Sequence, residues 1–153
     1  MVGGAALRQT PITLTSDTSW DLSAVADIQR VEIAYATMST TVSADLLLRI
    51  GTGGTLKVTG YDSDAANPGS AANSTTGFRL TPGSLGSSNH YRGVVTLVHL
   101  GGNVWAASGT HGGDAKPAYS AGQVTLTGAL NIVGFYISSG AFDAGVASCT
   151  VWT

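Results

Sequence analysis

The chain has 153 residues, one domain's length, with seven basic and nine acidic side chains for a net charge of −2. No basic cluster offers the footprint that nucleic acid needs, and no apolar run reaches the roughly 18 residues of a membrane span. A single cysteine, Cys149, excludes an intramolecular disulfide and any multi-cysteine zinc site, and its neighbours Ala147, Val151 and Trp152 mark it as a small buried residue.

Charged residues make up only 10% of the chain, against roughly a quarter in average proteins. Gly, Ser, Thr and Ala fill the gap, while 43% hydrophobic content and eleven aromatic residues (five Tyr, three Phe, three Trp) describe a folded domain. The opening Met1-Val2-Gly3-Gly4 does not read as a secretory signal. Residues 1–9 lack any period and read as a flexible or tethering segment, with one domain expected over 10–153.

Strand signals begin after Pro11, where Ile12-Thr13-Leu14-Thr15 alternates. Ser19 to Leu22 leads inward, and Ser23 to Ile28 fits either one helical turn or a capped bend between Asp21 and Asp27. Val31, Ile33 and Tyr35 share one face of the next strand, with Glu32 on the other. Leu46 to Ile50 is nearly continuous, as in a strand buried on both faces. Leu56 to Tyr61 alternates again. Residues 62–76, built of Asp, Ser, Thr, Ala, Asn, Gly and one Pro, read as a long exposed loop. Gly77 to Leu80 re-enters the sheet, and a second loop runs from Pro82 to Asn89. Tyr91 to Leu100 is the longest strand, and Gly101-Gly102-Asn103 supplies the positive-φ turn into Val104 to Ser108. A third loop spans 109–122, followed by strands at 124–127, 132–137 and 146–152. The sum is an all-β chain of about nine to ten strands, an antiparallel β-sandwich or jelly roll.

Catalytic patterns are missing. His90, His99 and His111 lie in different elements without metal-ligand spacing; His99, between Val98 and Leu100, reads as structural. No Gly-x-Ser-x-Gly elbow occurs, and Gly51-Thr52-Gly53-Gly54 lacks the lysine of a phosphate loop. Asp62, Asp64 and Asn67 do not complete a calcium loop, and nothing pairs Asp62, Asp64, Asp114 or Asp143 at the separation glycosidic cleavage needs. Asp143 fits a turn in which Phe142 packs inward. A domain without catalysis, metal or cofactor is expected. Glycan binding asks for less: an aromatic face with amide, carboxylate and hydroxyl groups around it. The candidates are Tyr61, His90, Tyr91, Trp105, His111 and Tyr119, with Asp62, Asn89, Asn103 and Asp114 as polar partners. Core packing competes for Tyr61 and Trp105, and Trp20 and Trp152 are assigned to it; loops 62–76 and 109–122 are preferred.

The order of short motifs also resembles the C-terminal domain of bacteriophage tail fibres and tail spikes. It is carried by Gly53-Gly54 before Thr59-Gly60-Tyr61, by Thr76-Gly77-Phe78, and by Tyr91-x-Gly93-x-Val95-Thr96-Leu97. Trp105-x-Ala107-Ser108-Gly109 and Phe142-Asp143-Ala144-Gly145 follow in the same order. The resemblance covers roughly Trp20 to Trp152; the stretch Asp21 to Gln29 is longer than the family's and the ending less acidic. It implies a distal β-sandwich of a homotrimeric fibre in the virion, made in the bacterial cytoplasm and assembled with other fibre proteins. Residues 1–9 would be where the fibre joins. The expected role is a non-enzymatic adhesin attaching to bacterial surface polysaccharide or lipopolysaccharide through its loops. The alternatives are a structural trimerisation or capping module and a small polysaccharide depolymerase.

Overall fold

The computed structural model describes residues 4–113 and 116–153. Fourteen strands are present among them. β1 (Ala6–Arg8), β2 (Ile12–Thr13) and β3 (Ser19–Asp21) are short; β4 (Arg30–Thr40) and β5 (Leu46–Thr52) are long, and β6 is Thr55–Leu56. Then come β7 (Tyr61–Asn67), β8 (Ser70–Ser74), β9 (Phe78–Arg79), β10 (Tyr91–Gly101) and β11 (Val104–Gly113). β12 (Lys116–Thr125), β13 (Ile132–Ile137) and β14 (Phe142–Trp152) complete the chain. The strands form two antiparallel sheets. The nine-stranded sheet runs β1-β14-β4-β10-β11-β12-β7-β8 with β2 also on β14, and the five-stranded sheet runs β3-β13-β5-β6 with β9 also on β5.

The sandwich is as expected, with more strands than the nine to ten anticipated. The surplus comes from small residues. Residues 62–76, expected as a loop, are a hairpin: β7 and β8 pair from Ser63–Ser74 to Asn67–Ser70 around Pro68-Gly69. Residues 109–113 and 116–122, expected within the third loop, likewise continue β11 and β12 in register from Val104–Thr125 to Gly113–Lys116. Weak strand formers are held there by the ladders on either side, since strand preference reflects fit to the sheet more than the residue itself. In the opposite sense, the strand expected over Leu56 to Tyr61 breaks after Leu56, and Gly60 turns at φ 78°. Within the segment expected to be a tether, Ala6–Arg8 pair with Trp152–Thr150 of β14. Between β3 and β4 the chain is a capped bend, with Ser23 N–H donating to Asp21 Oδ1 at 2.8 Å. Asn103 holds φ 64° in the β10–β11 turn, as its sequence foretold.

Alternation decides what is buried. Val31, Ile33 and Tyr35 of β4, Val95 and Leu97 of β10, and Trp105 of β11 face inward from the large sheet. Leu46, Leu48 and Ile50 of β5 with Val133 and Phe135 of β13 meet them from the small one. Tyr35 packs edge-on against Phe135 with centroids 5.4 Å apart. Cys149 is fully buried, which pushes its thiol up to about 12. Phe142 is buried, and the Asp143 carboxylate accepts from the Ser39 hydroxyl.

The strands outrun one another. β10, β11 and β12 have 11, 10 and 10 residues, against 7 in β5 and 6 in β13. At about 3.3 Å per residue the large sheet extends roughly 10 Å beyond its cover. At the end holding Tyr91 and His111, the segment from Leu80 to His90 closes the gap, with Leu80 N–H bonded to Leu46 and Ala44 and Leu85 bridging their backbones.

Trp105, only 2% exposed, belongs to the core, whereas Tyr119 is 58% exposed on the outer face. Trp105→Ala is expected to cost about 3–5 kcal/mol and Tyr119→Ala under about 0.5 kcal/mol in urea unfolding. Equal losses would contradict this placement.

Candidate functional site

Under the Leu80–His90 segment lies a polar pocket of about 260 Å³. Its walls come from several elements: Tyr91 starts β10, His111 lies in the last alternation of β11 before Gly113, Lys116 starts β12, Asn67 ends β7, and Ser84 and Asn89 belong to the covering segment. Hydroxyl, amide, ammonium and imidazole groups thus converge on one opening beside an aromatic ring.

His111 is the pivot. On β11 the inward positions run Trp105, Ala107, Gly109, His111, so the inner face turns from apolar to polar where the cover ends. The imidazole has no room unless two neighbours are glycine. A Cβ on Gly93 would sit 2.6 Å from His111 Nδ1 and 2.9 Å from Tyr35 Oη, and one on Gly109 would sit 2.6 Å from Nε2. Both ring nitrogens are engaged: Nδ1 with the Tyr35 hydroxyl at 2.8 Å and Nε2 with the Ser120 hydroxyl at 2.8 Å. Either neutral tautomer satisfies the chain, Tyr35 donating and Ser120 accepting, or the reverse. Burial lowers His111 to about 4, so it is uncharged at neutral pH. Burial also raises Tyr35, with Tyr91 adding to it. The three form a rigid hydrogen-bonded rod. Tyr91 lies over Gly113, where a Cβ would come within 2.6 Å of its ring. Among the described residues no three His, Cys, Asp or Glu side chains are grouped to hold a metal ion.

Of the glycan-binding candidates, the structure brings together Tyr91, His111 and Asn89. The others lie elsewhere. His90 is exposed beside Asn89 without lining the pocket. Tyr61 is corrected to the core: its hydroxyl accepts from Ile50 N–H at 3.0 Å and faces the Ile50 and Lys57 carbonyls at 3.1 Å, and burial raises it to about 12. Trp105 is corrected too, stacked on His99 at 5.0 Å inside the opposite end of the sandwich. Asn103 turns the hairpin at that same end, eight residues before His111 and about 26 Å along the strand from the pocket. Asp62 and Tyr119 point outward from β7 and β12, away from the pocket. Asp114 lies outside the described residues. Sequence reasoning missed Lys116, Asn67 and Ser84 because they are spread over three elements. It missed the Tyr35–His111–Ser120 rod because only the β4–β10–β11–β12 register joins it.

No protein-family model matches the chain, and no curated protein matches it. Among solved structures, the marine PL-14 alginate lyase from Aplysia kurodai matches at a TM-score of 0.41 and 11% identity, over 86% of this chain and 72% of its own. At that level the likeness carries no argument about substrate or reaction. The matching protein is an alginate lyase, and the expectation of a domain without catalysis finds no support in that comparison and is not carried forward.

Since His111 is held near 4 when folded and has an ordinary value of 6.5, unfolding binds a proton between those values. The stability it contributes is complete above pH 6.5 and declines as pH falls toward 4, by about 1.4 kcal/mol per unit. Urea midpoints measured across that window should show the decline, and His111→Gln should remove that portion of the slope. An unchanged slope in the variant would contradict the buried neutral imidazole.

Proposed function

We propose that this chain is a carbohydrate-binding β-sandwich domain that holds a polysaccharide in the pocket beneath Leu80–His90. The observation that carries the reading is the lining itself: the Tyr91 ring with Asn67, Ser84, Asn89, His111 and Lys116 around it. An aromatic face ringed by amides and hydroxyls suits a sugar's C–H face and ring oxygens. Most of these groups sit at strand ends, so little ordering is needed on binding. The resemblance of the ordered motifs to those of phage tail fibres and spikes supports a setting on the virion, as a homotrimeric fibre tip attached to bacterial surface polysaccharide or lipopolysaccharide.

A second reading adds cleavage of the bound chain. It is favoured by the Tyr35–His111–Ser120 rod, whose imidazole lines the pocket and has the form of a base held by a partner. Retention and cleavage separate on one observable, polymer length after incubation with the domain.

Titration of the isotope-labelled domain with surface polysaccharide fragments should shift the amides of Tyr91, His111 and Lys116. Tyr91→Ala should weaken binding at least ten-fold, about 1.4 kcal/mol. Shifts that avoid the pocket would overturn the reading. Light scattering is expected to give three times 15.4 kDa; a monomer at all concentrations would sink self-trimerisation by this domain.

A further inference from the structure

A second cavity lies on the solvent side of the five-stranded sheet, with a lining separate from that of the end pocket. It is a groove of about 450 Å³ lined by Arg49, Tyr136, Asn73, Ser74, Thr76 and Ser138 among others. Leu47 pairs with Tyr136 and Arg49 with Gly134, so Arg49 and Tyr136 are diagonal neighbours on the outward face of β5 and β13. The guanidinium carbon stands 3.5 Å from the centroid of the Tyr136 ring, and Nε donates to the Thr76 carbonyl at 2.7 Å. Gly77 lets the chain lie close on the arginine stem: a Cβ there would stand 3.2 Å from Arg49 Cγ and 3.0 Å from Leu47 Cβ.

Those contacts fix the plane of the guanidinium yet use only its inner edge. Its two terminal nitrogens have no partner among the described residues. The other cation in the groove is already committed: Arg79 grips Asp45 through both terminal nitrogens at 3.0 and 2.8 Å, and Ser84 donates to the same carboxylate at 2.9 Å. A planar donor fork, held in place and open on one side, matches the two oxygens of a carboxylate. Around it are an amide and several hydroxyls, which suit a polyhydroxylated ring more than an apolar ligand.

We propose that this groove binds an acidic sugar residue, its carboxylate on the terminal nitrogens of Arg49 and its hydroxyls on Asn73, Ser74 and Ser138. Tyr136 acts as a positioning residue by holding the guanidinium flat. The site shares no side chain with the lining of the end pocket, although the two adjoin where Ser84 of that lining bonds Asp45 of this one.

The test titrates the labelled domain with a glucuronate-containing oligosaccharide, its neutral glucose counterpart of equal length, and inorganic phosphate. The acidic oligosaccharide is expected to shift Arg49 and Tyr136 and to bind at least ten-fold more tightly than the other two. Arg49→Lys keeps the charge but loses the fork and should weaken it ten-fold or more. Tyr136→Leu should weaken it as well, and urea unfolding of each variant reports whether the fold survives. Equal binding of the neutral sugar or of phosphate, unchanged affinity in folded Arg49→Lys, shifts confined to Tyr91 and His111, or no binding at all would each overturn the proposal.

Discussion

A nine-stranded sheet has to bury one face under a partner of only five strands, none as long as β4, β10, β11, β12 or β14, and the rest of the molecule follows from that mismatch. Where the two sheets overlap, inward positions are apolar and the core is dense: Val31, Ile33, Val95, Leu97 and Leu48 are fully buried. Past the end of the overlap the large sheet still needs cover, and irregular chain from Leu80 to His90 provides it. Irregular cover brings backbone polar groups, which need partners when buried. The inner face beneath it is polar for that reason, and a pocket remains between sheet and cover.

Tyr35 joins the two regimes. Its ring packs on Phe135 in the core, and its hydroxyl reaches His111 at the start of the polar region. A buried histidine with an unpaired nitrogen would cost about 1–3 kcal/mol; here Tyr35 and Ser120 take both nitrogens, and no buried side-chain polar atom among the described residues lacks a partner. The glycines at 93 and 109 are the steric counterpart of that network. They remove the two β-carbons that would occupy the imidazole's place. A sheet rich in glycine and alanine thereby gains a fixed polar floor, and the groups above it, Tyr91 and Lys116, are set by strand ends instead of loop tips.

Much of the fold was legible in the chain. The alternation of Val31, Ile33 and Tyr35, the continuous Leu46–Ile50 and the Gly101-Gly102-Asn103 turn each specify a local structure by steric and burial rules. Residues 62–76 and 109–122 were not legible, because Ser, Ala, Gly and Thr carry little strand preference and are held by neighbours distant in sequence. The site was legible in part. Tyr91, His111 and Asn89 fall in it, yet Tyr61 and Trp105, equally plausible as sugar platforms, are core residues at the other end. Sequence shows that an aromatic sits near a turn, but which end of the sandwich that turn occupies depends on strand order.

The central claim is that a saccharide sits against Tyr91 in the end pocket. Intermolecular nuclear Overhauser effects between the sugar's C–H protons and protein protons test it most directly. Contacts are expected from the Tyr91 ring and from the Gly113 α-protons beside it. Contacts confined to Tyr119 on the outer face, with none from Tyr91, would contradict it.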